Sequence, residues 1–219
     1  MQHQRARVSW RPGEVPVSDR FDDPYYSLEN GVDETRHTFL SGNDLPARFC
    51  DGFQVAELGF GTGLNFLTTL MAWPGAGQLR YTGFEAFPMA ADDMVRALAV
   101  FPALPYRDAL VACWRAGRFP VEIGPAWLDL RFGDARTCLP GWEQTADAWY
   151  LDGFAPARNP ELWEPGLMAE VARHTAPGGT LATYTAAGHV RRSLEAAGFT
   201  VSRQPGYGRK RHMTVGRLP

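Results

Sequence analysis

Ala56-Glu57-Leu58-Gly59-Phe60-Gly61-Thr62-Gly63-Leu64-Asn65 decides the fold class of this 219-residue chain. An apolar strand pattern from Phe53 to Leu58 runs straight into three alternate glycines. Leu64, Leu67 and Leu70 or Met71 then recur at helical spacing. Strand, tight glycine turn and helix is the geometry in which backbone N–H groups at a helix N-terminus face a ligand. Glycine suits the turn because a Cβ would obstruct both the bend and a ligand's close approach. A G-x-G-x-G alone is shared by nicotinamide enzymes, methyltransferases and turns that bind nothing. Two details favour a cationic ligand. Glu57 stands two residues before the first glycine, and the dinucleotide spacing G-x-G-x-x-G is missing. A carboxylate there repels a pyrophosphate and attracts an ammonium or a sulfonium, which fits S-adenosylmethionine better than a dinucleotide.

The length suits one α/β domain, with or without a small appendage, burying about 70% of its unfolded surface. Hydrophobic content of 45% and charged content of 21% are ordinary for a globular protein. No run approaches the ~20 apolar residues of a membrane span, and no basic-then-apolar leader opens the chain, so a cytoplasmic protein is expected. The cysteines (Cys50, Cys113, Cys138) are odd in number and in no metal spacing, and the five histidines are scattered, so neither disulfides nor a metal site is expected. The net charge is −2, yet from Gly188 to Pro219 seven basic residues face Glu195 alone, a local excess of six. That cluster reads equally as a solvated face or as the footprint of a phosphate backbone.

Residues 1–50 read as a distinct N-terminal extension and 51–219 as the main domain. Pro12-Gly13 and Pro16 make its start loop-like, and Phe21-Asp22-Asp23-Pro24-Tyr25-Tyr26 sets aromatics among acids. Glu34 to Leu40 alternates as a strand, Ser41-Gly42-Asn43-Asp44 reads as a turn and Leu45 to Phe49 returns, giving a small hairpin. Such an extension closes a sheet edge as readily as it meets a ligand. Further on, Leu79 to Glu85 is a strand whose terminal acid is placed to accept ribose hydroxyls. Pro88 opens a helix that carries Ala91, Met94 or Val95, Leu98 and Phe101 on one side, and another helix follows near Arg107 to Gly117. Trp127 to Phe132 is the next strand. Asp134-Ala135 at its exit either meets an adenine amino group or caps the next helix. Asp147 to Leu151 delivers Asp152 beside the glycine turn. Asn159 and Pro160 open a helix with Trp163, Leu167 and Val171 on one side, and Pro177-Gly178-Gly179 ends it before a strand over Thr180 to Thr185. A helix ending at the C′ glycine Gly198 precedes strands at Phe199 to Arg203 and Arg211 to Arg217. The expected architecture is a Rossmann-like α/β fold with a seven-stranded, mostly parallel sheet, its last strand antiparallel, plus the N-terminal hairpin.

Four stretches resemble one family closely: Glu57 to Leu67, Leu151-Asp152-Gly153-Phe154-Ala155-Pro156-Ala157-Arg158-Asn159-Pro160, Pro177 to Thr183, and Gly206-Tyr207-Gly208-Arg209-Lys210-Arg211. The family is the methyltransferase part of the tRNA 5-methylaminomethyl-2-thiouridine biosynthesis proteins, MnmC. Phe21 to Ser27 and Glu34-Thr35-Arg36 resemble its opening too. The bifunctional members continue into a flavin-dependent oxidase and this chain stops at Pro219, so the likeness is to a stand-alone methyltransferase or an excised domain, a separate oxidase then supplying the substrate. The resemblance implies a class I methyltransferase that moves a methyl group from S-adenosylmethionine to the primary amine of 5-aminomethyl-(2-thio)uridine at the tRNA wobble position.

On that reading Glu57, Gly59, Phe60, Gly61, Gly63, Asn65, Glu85, Asp134, Ala135 and Asp152 hold the donor, and Asp152 also aims the amine and takes its proton. Phe154 and Tyr184 are either walls for the base or core. Arg191, Arg192, Arg209, Lys210 and Arg211 would meet the backbone of the anticodon arm. Two other classes remain: a nicotinamide oxidoreductase, which Glu57 and the glycine spacing disfavour, and a non-catalytic tRNA-binding module, which the presence of both Glu57 and Asp152 disfavours.

Overall fold

The computed structural model describes residues 4–27, 30–75 and 77–219. Its elements are, in order, β1 (Val8–Arg11), β2 (Val15–Ser18), β3 (Asp23–Pro24), α1 (Gly31–Thr35), β4 (Gln54–Leu58), α2 (Leu64–Ala72), β5 (Leu79–Glu85), α3 (Ala91–Ala99), α4 (Arg107–Ala116), β6 (Val121–Ile123), β7 (Ala126–Phe132), α5 (Ala135–Cys138), β8 (Ala146–Leu151), α6 (Pro165–Arg173), β9 (Thr175–Thr183), α7 (Gly188–Ala196), β10 (Thr200–Pro205) and β11 (His212–Arg217). The main sheet has eight strands in the order β10-β11-β9-β8-β4-β5-β7-β6. Its centre, from β9 to β7, is parallel. The last strand, β11, runs antiparallel to both its neighbours, as expected. The eighth strand, β6, is a three-residue antiparallel edge that was not expected; it is too short to carry a periodic signal.

Alternation along the central strands explains the layering. Val55, Ala148 and Tyr150 face one apolar cluster with Leu64, Phe66 and Leu67 of α2 and with Met94 and Leu110 of α3 and α4. Ala56, Leu58, Trp149 and Leu151 face the other, with Leu167 of α6 and Leu194 of α7. Both faces of β4 and β8 are covered, so these strands read as unbroken apolar runs. Trp149 and Tyr150 are fully buried, each contributing on the order of 2–3 kcal/mol of transfer free energy.

The N-terminal segment corrects the expected hairpin. Residues 34–49 hold no strand: α1 passes into a π-helical turn, Arg36–Leu40, and a 3-10 turn, Ser41–Asn43. The buried positions are Gly31, Thr35, Thr38, Phe39 and Leu40, a spacing closer to a helical face than to alternation. The hairpin lies earlier, where β1 and β2 pair across Pro12-Gly13-Glu14, with Gly13 at φ 83° and Glu14 at φ 60°. Strand β3 completes this small antiparallel sheet. Val15, Tyr26, Phe39, Leu40 and Leu45 join the apolar cluster on the α2 side, so the extension shares the core of the main sheet. Two further boundaries differ. Asn159 makes no side-chain cap, and Pro160–Trp163 is a 3-10 turn ahead of α6, which Pro165 opens. Pro177-Gly178-Gly179 lies inside β9, where the pairing with β8 shifts register between Ala146 and Ala148.

Candidate active site

The carboxyl ends of β4, β5, β7, β8 and β9 open into a cavity of about 900 Å³. The glycine turn forms its floor. Gly59, Gly61 and Gly63 all have positive φ (80°, 55° and 76°), and Gly63 is the left-handed N-cap of α2. A Cβ on Gly59 would sit 2.8 Å from the Asp152 carbonyl oxygen and 3.1 Å from Gly153 Cα, so the loops after β4 and β8 touch there. Neither obstacle is a flexible side chain, and alanine is itself strained at that φ. Gly59→Ala is expected to lower unfolding free energy by roughly 2 kcal/mol, read as a drop in urea midpoint at constant slope.

Four N–H groups of the turn already have acceptors. The N–H groups of Gly59 and Phe60 donate to Phe84 O (2.9 and 3.3 Å) and that of Gly63 to Phe60 O (2.9 Å). The N–H of Gly61 donates to Glu85 Oε2 at 2.8 Å. With four donors engaged internally, a pyrophosphate finds little to bind here. Glu85 Oε1 accepts from Phe87 N–H at 2.7 Å. Its carboxylate is thus held by one backbone donor per oxygen on the cavity wall, with lone pairs left for two neighbouring hydroxyls. Burial raises its pKa, opposed by the two backbone donors.

Glu57 requires a correction. It is completely buried and does not line the cavity. Alternation along β4 turns it toward the α2 layer, where its oxygens accept from Asn65 Nδ2 (2.6 Å) and Tyr81 Oη (2.8 Å). Desolvation, then the neighbouring Asp152, pushes its pKa well above the usual carboxylate range. Its effect on a ligand runs through Asn65. That amide also donates to Asp152 Oδ2 at 2.7 Å and accepts from Thr35 Oγ1 at 2.6 Å. One side chain thus bridges two carboxyl groups and ties α1 to β8.

Asp152 follows β8, lines the cavity, and accepts from Gly153 N–H at 2.8 Å through its other oxygen. Burial pushes its pKa up to about 7 against the pull of the Gly153 and Asn65 donors; Glu34 raises it further and Lys210 opposes. Asn65→Leu removes a partner from Thr35, Glu57 and Asp152 together. We expect a loss of about 2–3 kcal/mol in urea unfolding and an Asp152 pKa raised further, because a donor to its ionised form has gone.

The other expected residues divide. Phe60 and Ala135 line the cavity, but the Phe60 ring is buried against Phe66, Tyr81 and Trp114. Gly63 does not line it; a Cβ there would meet Leu110 at 2.6 Å, so this glycine serves packing. Asp134 caps α5 through Arg136 N–H, and both its oxygens are also held by the Arg136 guanidinium, the closest contact being 2.6 Å. It lies on the cavity wall, but an adenine amino group would have to share it. Phe154 and Tyr184 both line the cavity. Phe154 stacks on Phe21 (centroids 4.8 Å apart) and meets Tyr25 edge-on, while Tyr184 Oη donates to Gly153 O at 2.7 Å.

The signal that sequence reasoning missed lies in the N-terminal segment, which supplies a wall of the cavity, with Phe21, Tyr25, Glu34 and Thr35 among its residues. Tyr25 covers Gly61, its ring 3.2 Å from where a Cβ would be. Asp23 accepts from Ala155 N–H, and Asp22 pairs with Arg158 at 2.6 Å, fastening this wall to the loop after β8. The aromatic and acidic cluster at 21–26 and the family-like Glu34-Thr35-Arg36 are the hints the sequence offers.

The basic cluster separates as well. The N-terminus of α7 and the turn between β10 and β11 both lie at the carboxyl end of the sheet. Arg192, Arg209 and Arg211 are exposed there and Arg191 is half-buried. Lys210 departs from the outward set: its Nζ lies 2.5 Å from Glu34 Oε1 and lines the cavity. Among the described residues no group of His, Cys, Asp and Glu is placed to hold a metal ion, and no helix is long and apolar enough to cross a membrane.

Comparison with known proteins gives the family. A family model described as S-adenosyl-L-methionine-dependent methyltransferase matches residues 103–219. The chain is 45% identical over 228 residues to a tRNA 5-methylaminomethyl-2-thiouridine biosynthesis bifunctional protein MnmC of Pseudomonas aeruginosa, across 97% of this chain and 35% of that one. A protein of the same name from Aeromonas salmonicida is 44% identical, across 96% and 35%. The chain therefore spans about a third of the length of these relatives. The crystal structure of MNMC2 from Aquifex aeolicus superposes with a TM-score of 0.77 at 24% identity, covering 99% of this chain and 72% of that one, a likeness of fold.

Proposed function

The chain belongs to the S-adenosyl-L-methionine-dependent methyltransferases, and from that premise we propose that it N-methylates the 5-aminomethyl group of a wobble (2-thio)uridine in tRNA. The observation that carries this reading is Asp152: a carboxylate with a pKa near 7, on the cavity wall beside the glycine turn. The names of the relatives supply the substrate class. Bound in this cavity, S-adenosylmethionine supplies an electrophilic sulfonium methyl group.

The residues fit such a donor. Glu85 would accept the ribose hydroxyls, Gly59 brings the loops after β4 and β8 together beneath the donor, and the Asn65–Asp152 pair gives the cationic end an acidic neighbour. Asp134 and Ala135 line the end of β7, where an adenine edge would sit. A primary alkylamine resembles lysine, with a pKa near ~10, and arrives protonated. Asp152 aims the nitrogen of that ammonium and takes a proton as the nitrogen lone pair turns to the methyl carbon. A base of pKa about 7 suits this better than an ordinary carboxylate, because its affinity for the proton is closer to that of the amine. Phe154 and Tyr184 offer apolar faces to an unstacked base, which a single-stranded loop releases cheaply. Arg191, Arg192, Arg209 and Arg211 would meet the anticodon arm through its phosphates, making binding salt-dependent without reading sequence. Residues 51–219 carry the donor site in this reading, and residues 1–50 close the acceptor side.

The test is transfer of a labelled methyl group to tRNA bearing the aminomethyl group, beside the same tRNA without it. Label in the first and none in the second is expected; equal label in both, or none in either, overturns the substrate.

A further inference from the structure

Lys210 presents a primary ammonium to the inside of the cavity. It lies 2.5 Å from Glu34 Oε1 and 4.1 Å from the centroid of the Tyr184 ring. The Tyr184 ring is itself fixed by the hydrogen bond to Gly153 O. A carboxylate beside an aromatic face is the pairing that recognises organic cations. Here it already holds an alkylammonium, the group the acceptor would carry. We propose that Glu34 and the face of Tyr184 form the seat for the acceptor's ammonium, and that Lys210 occupies this seat until the acceptor displaces it. The proposal rests on the amine-acceptor reading above and names the residues that make it selective.

Three observations support displacement. The Glu34 side chain is only 12% exposed whereas that of Lys210 is 43% exposed. Lys210 lies on the turn between β10 and β11, so its ammonium can leave to water without unpacking core. Removing a cation from a mostly buried carboxylate is costly, but replacing one ammonium by another is close to even. An acceptor lacking the amine cannot make that exchange and would leave Glu34 unpaired, which is a basis for discrimination. Third, the seat is wired to the base. Glu34 precedes Thr35, whose hydroxyl meets Asn65, whose amide meets Asp152. Asp152 feels the charges of both Glu34 and Lys210. An amine entering the seat is thus delivered beside the group that takes its proton, and the freed Lys210 turns to water.

The test uses the full chain. Benzylammonium chloride, titrated calorimetrically, should bind Lys210→Met at least about ten-fold more tightly than the parent, and Glu34→Gln/Lys210→Met no better than the parent, since a charge-assisted contact carries about that much. With aminomethyl tRNA, Lys210→Met should lower KM, and Glu34→Gln should raise it about ten-fold or more. Donor affinity, measured in parallel, reports folding; Lys210→Gln replaces a methionine variant that does not fold. A raised KM for Lys210→Met makes the lysine a phosphate contact or a latch and overturns the proposal. So does an unchanged KM for Glu34→Gln, or no benzylammonium binding to Lys210→Met. If the parent methylates no aminomethyl tRNA, the substrate reading falls, while the titration still decides whether the seat binds an ammonium.

Discussion

Asp152→Asn should lower kcat for methyl transfer by about 10²–10⁴-fold, the range over which a positioned base contributes, while the KM for tRNA moves little. Asparagine keeps the shape of the side chain and can still accept from Asn65 or from Gly153, but it cannot take a proton. The pH dependence gives a second reading of the same group. Its pKa in the free protein is about 7, raised by burial. Log kcat/KM of the parent should therefore climb with unit slope below pH 7 and flatten above it, and the variant should lose that inflection. In the complex a cationic donor adds to the lowering influence of Lys210, so the inflection in kcat should fall below that in kcat/KM. The stability consequence has the opposite sign. A carboxyl whose folded pKa exceeds its unfolded value contributes stability at low pH. That contribution is lost as pH rises from about 4 toward 7, and Glu57 and Glu85, both raised, add to the trend. Apparent stability without donor should decline across that window, and donor should restore it. A variant that turns over within a few-fold of the parent, with the inflection intact, would remove Asp152 from the reaction.

The parts of this molecule that were legible in the sequence share one property: their signal is local. Strand β5 begins and ends at Leu79 and Glu85, the bounds read from the sequence. The exits of β4, β5 and β8, with Gly59, Glu85 and Asp152 on them, follow from strand-turn-helix order alone. What was not legible depends on neighbours distant in sequence. Glu57 looked like a ligand contact because it adjoins the glycine turn; which face of β4 it occupies becomes visible only once Tyr81 and Asn65 are seen against it. Glu34 and Thr35 reach the cavity because α1 docks on α2 and on the turn after β10, through contacts such as Thr35–Asn65, 30 residues apart, and Lys210–Glu34, 176 apart. The stretch from Glu34 to Leu40 reads as a strand because seven residues fit a period of two nearly as well as one of 3.6, whereas its burial is set by the sheet beneath. Lys210 reads with the arginines because charge is what the sequence displays there, and charge does not reveal which way a tight turn aims a side chain.

Glu85→Ala should weaken donor binding by about 10²–10⁴-fold, and Glu85→Gln should be no milder. Each oxygen of this carboxylate accepts one backbone N–H, from Gly61 at 2.8 Å and Phe87 at 2.7 Å. An amide has only one acceptor oxygen, so glutamine must set its NH₂ against a backbone donor or turn away, and either way the Gly61 end of the turn is released. Two hydroxyl contacts to a charged acceptor are together worth about 3–6 kcal/mol, which converts to the stated loss in affinity. Part of the effect belongs to the loop: an unpartnered Gly61 N–H costs about 1–3 kcal/mol of stability. Calorimetric titration separates the two terms. 5′-Methylthioadenosine, which keeps the ribose but not the amino-acid end, should lose as much affinity as the donor. Methionine, which lacks the ribose, should lose only what the loop contributes. Equal losses for all three ligands would make Glu85 a brace for the glycine turn and nothing more. NAD in the same titration decides between the donor classes, because an acid on the ribose serves either one. The internally bonded N–H groups of Gly59, Phe60, Gly61 and Gly63 leave a pyrophosphate without a cradle, so NAD should give no heat with the parent.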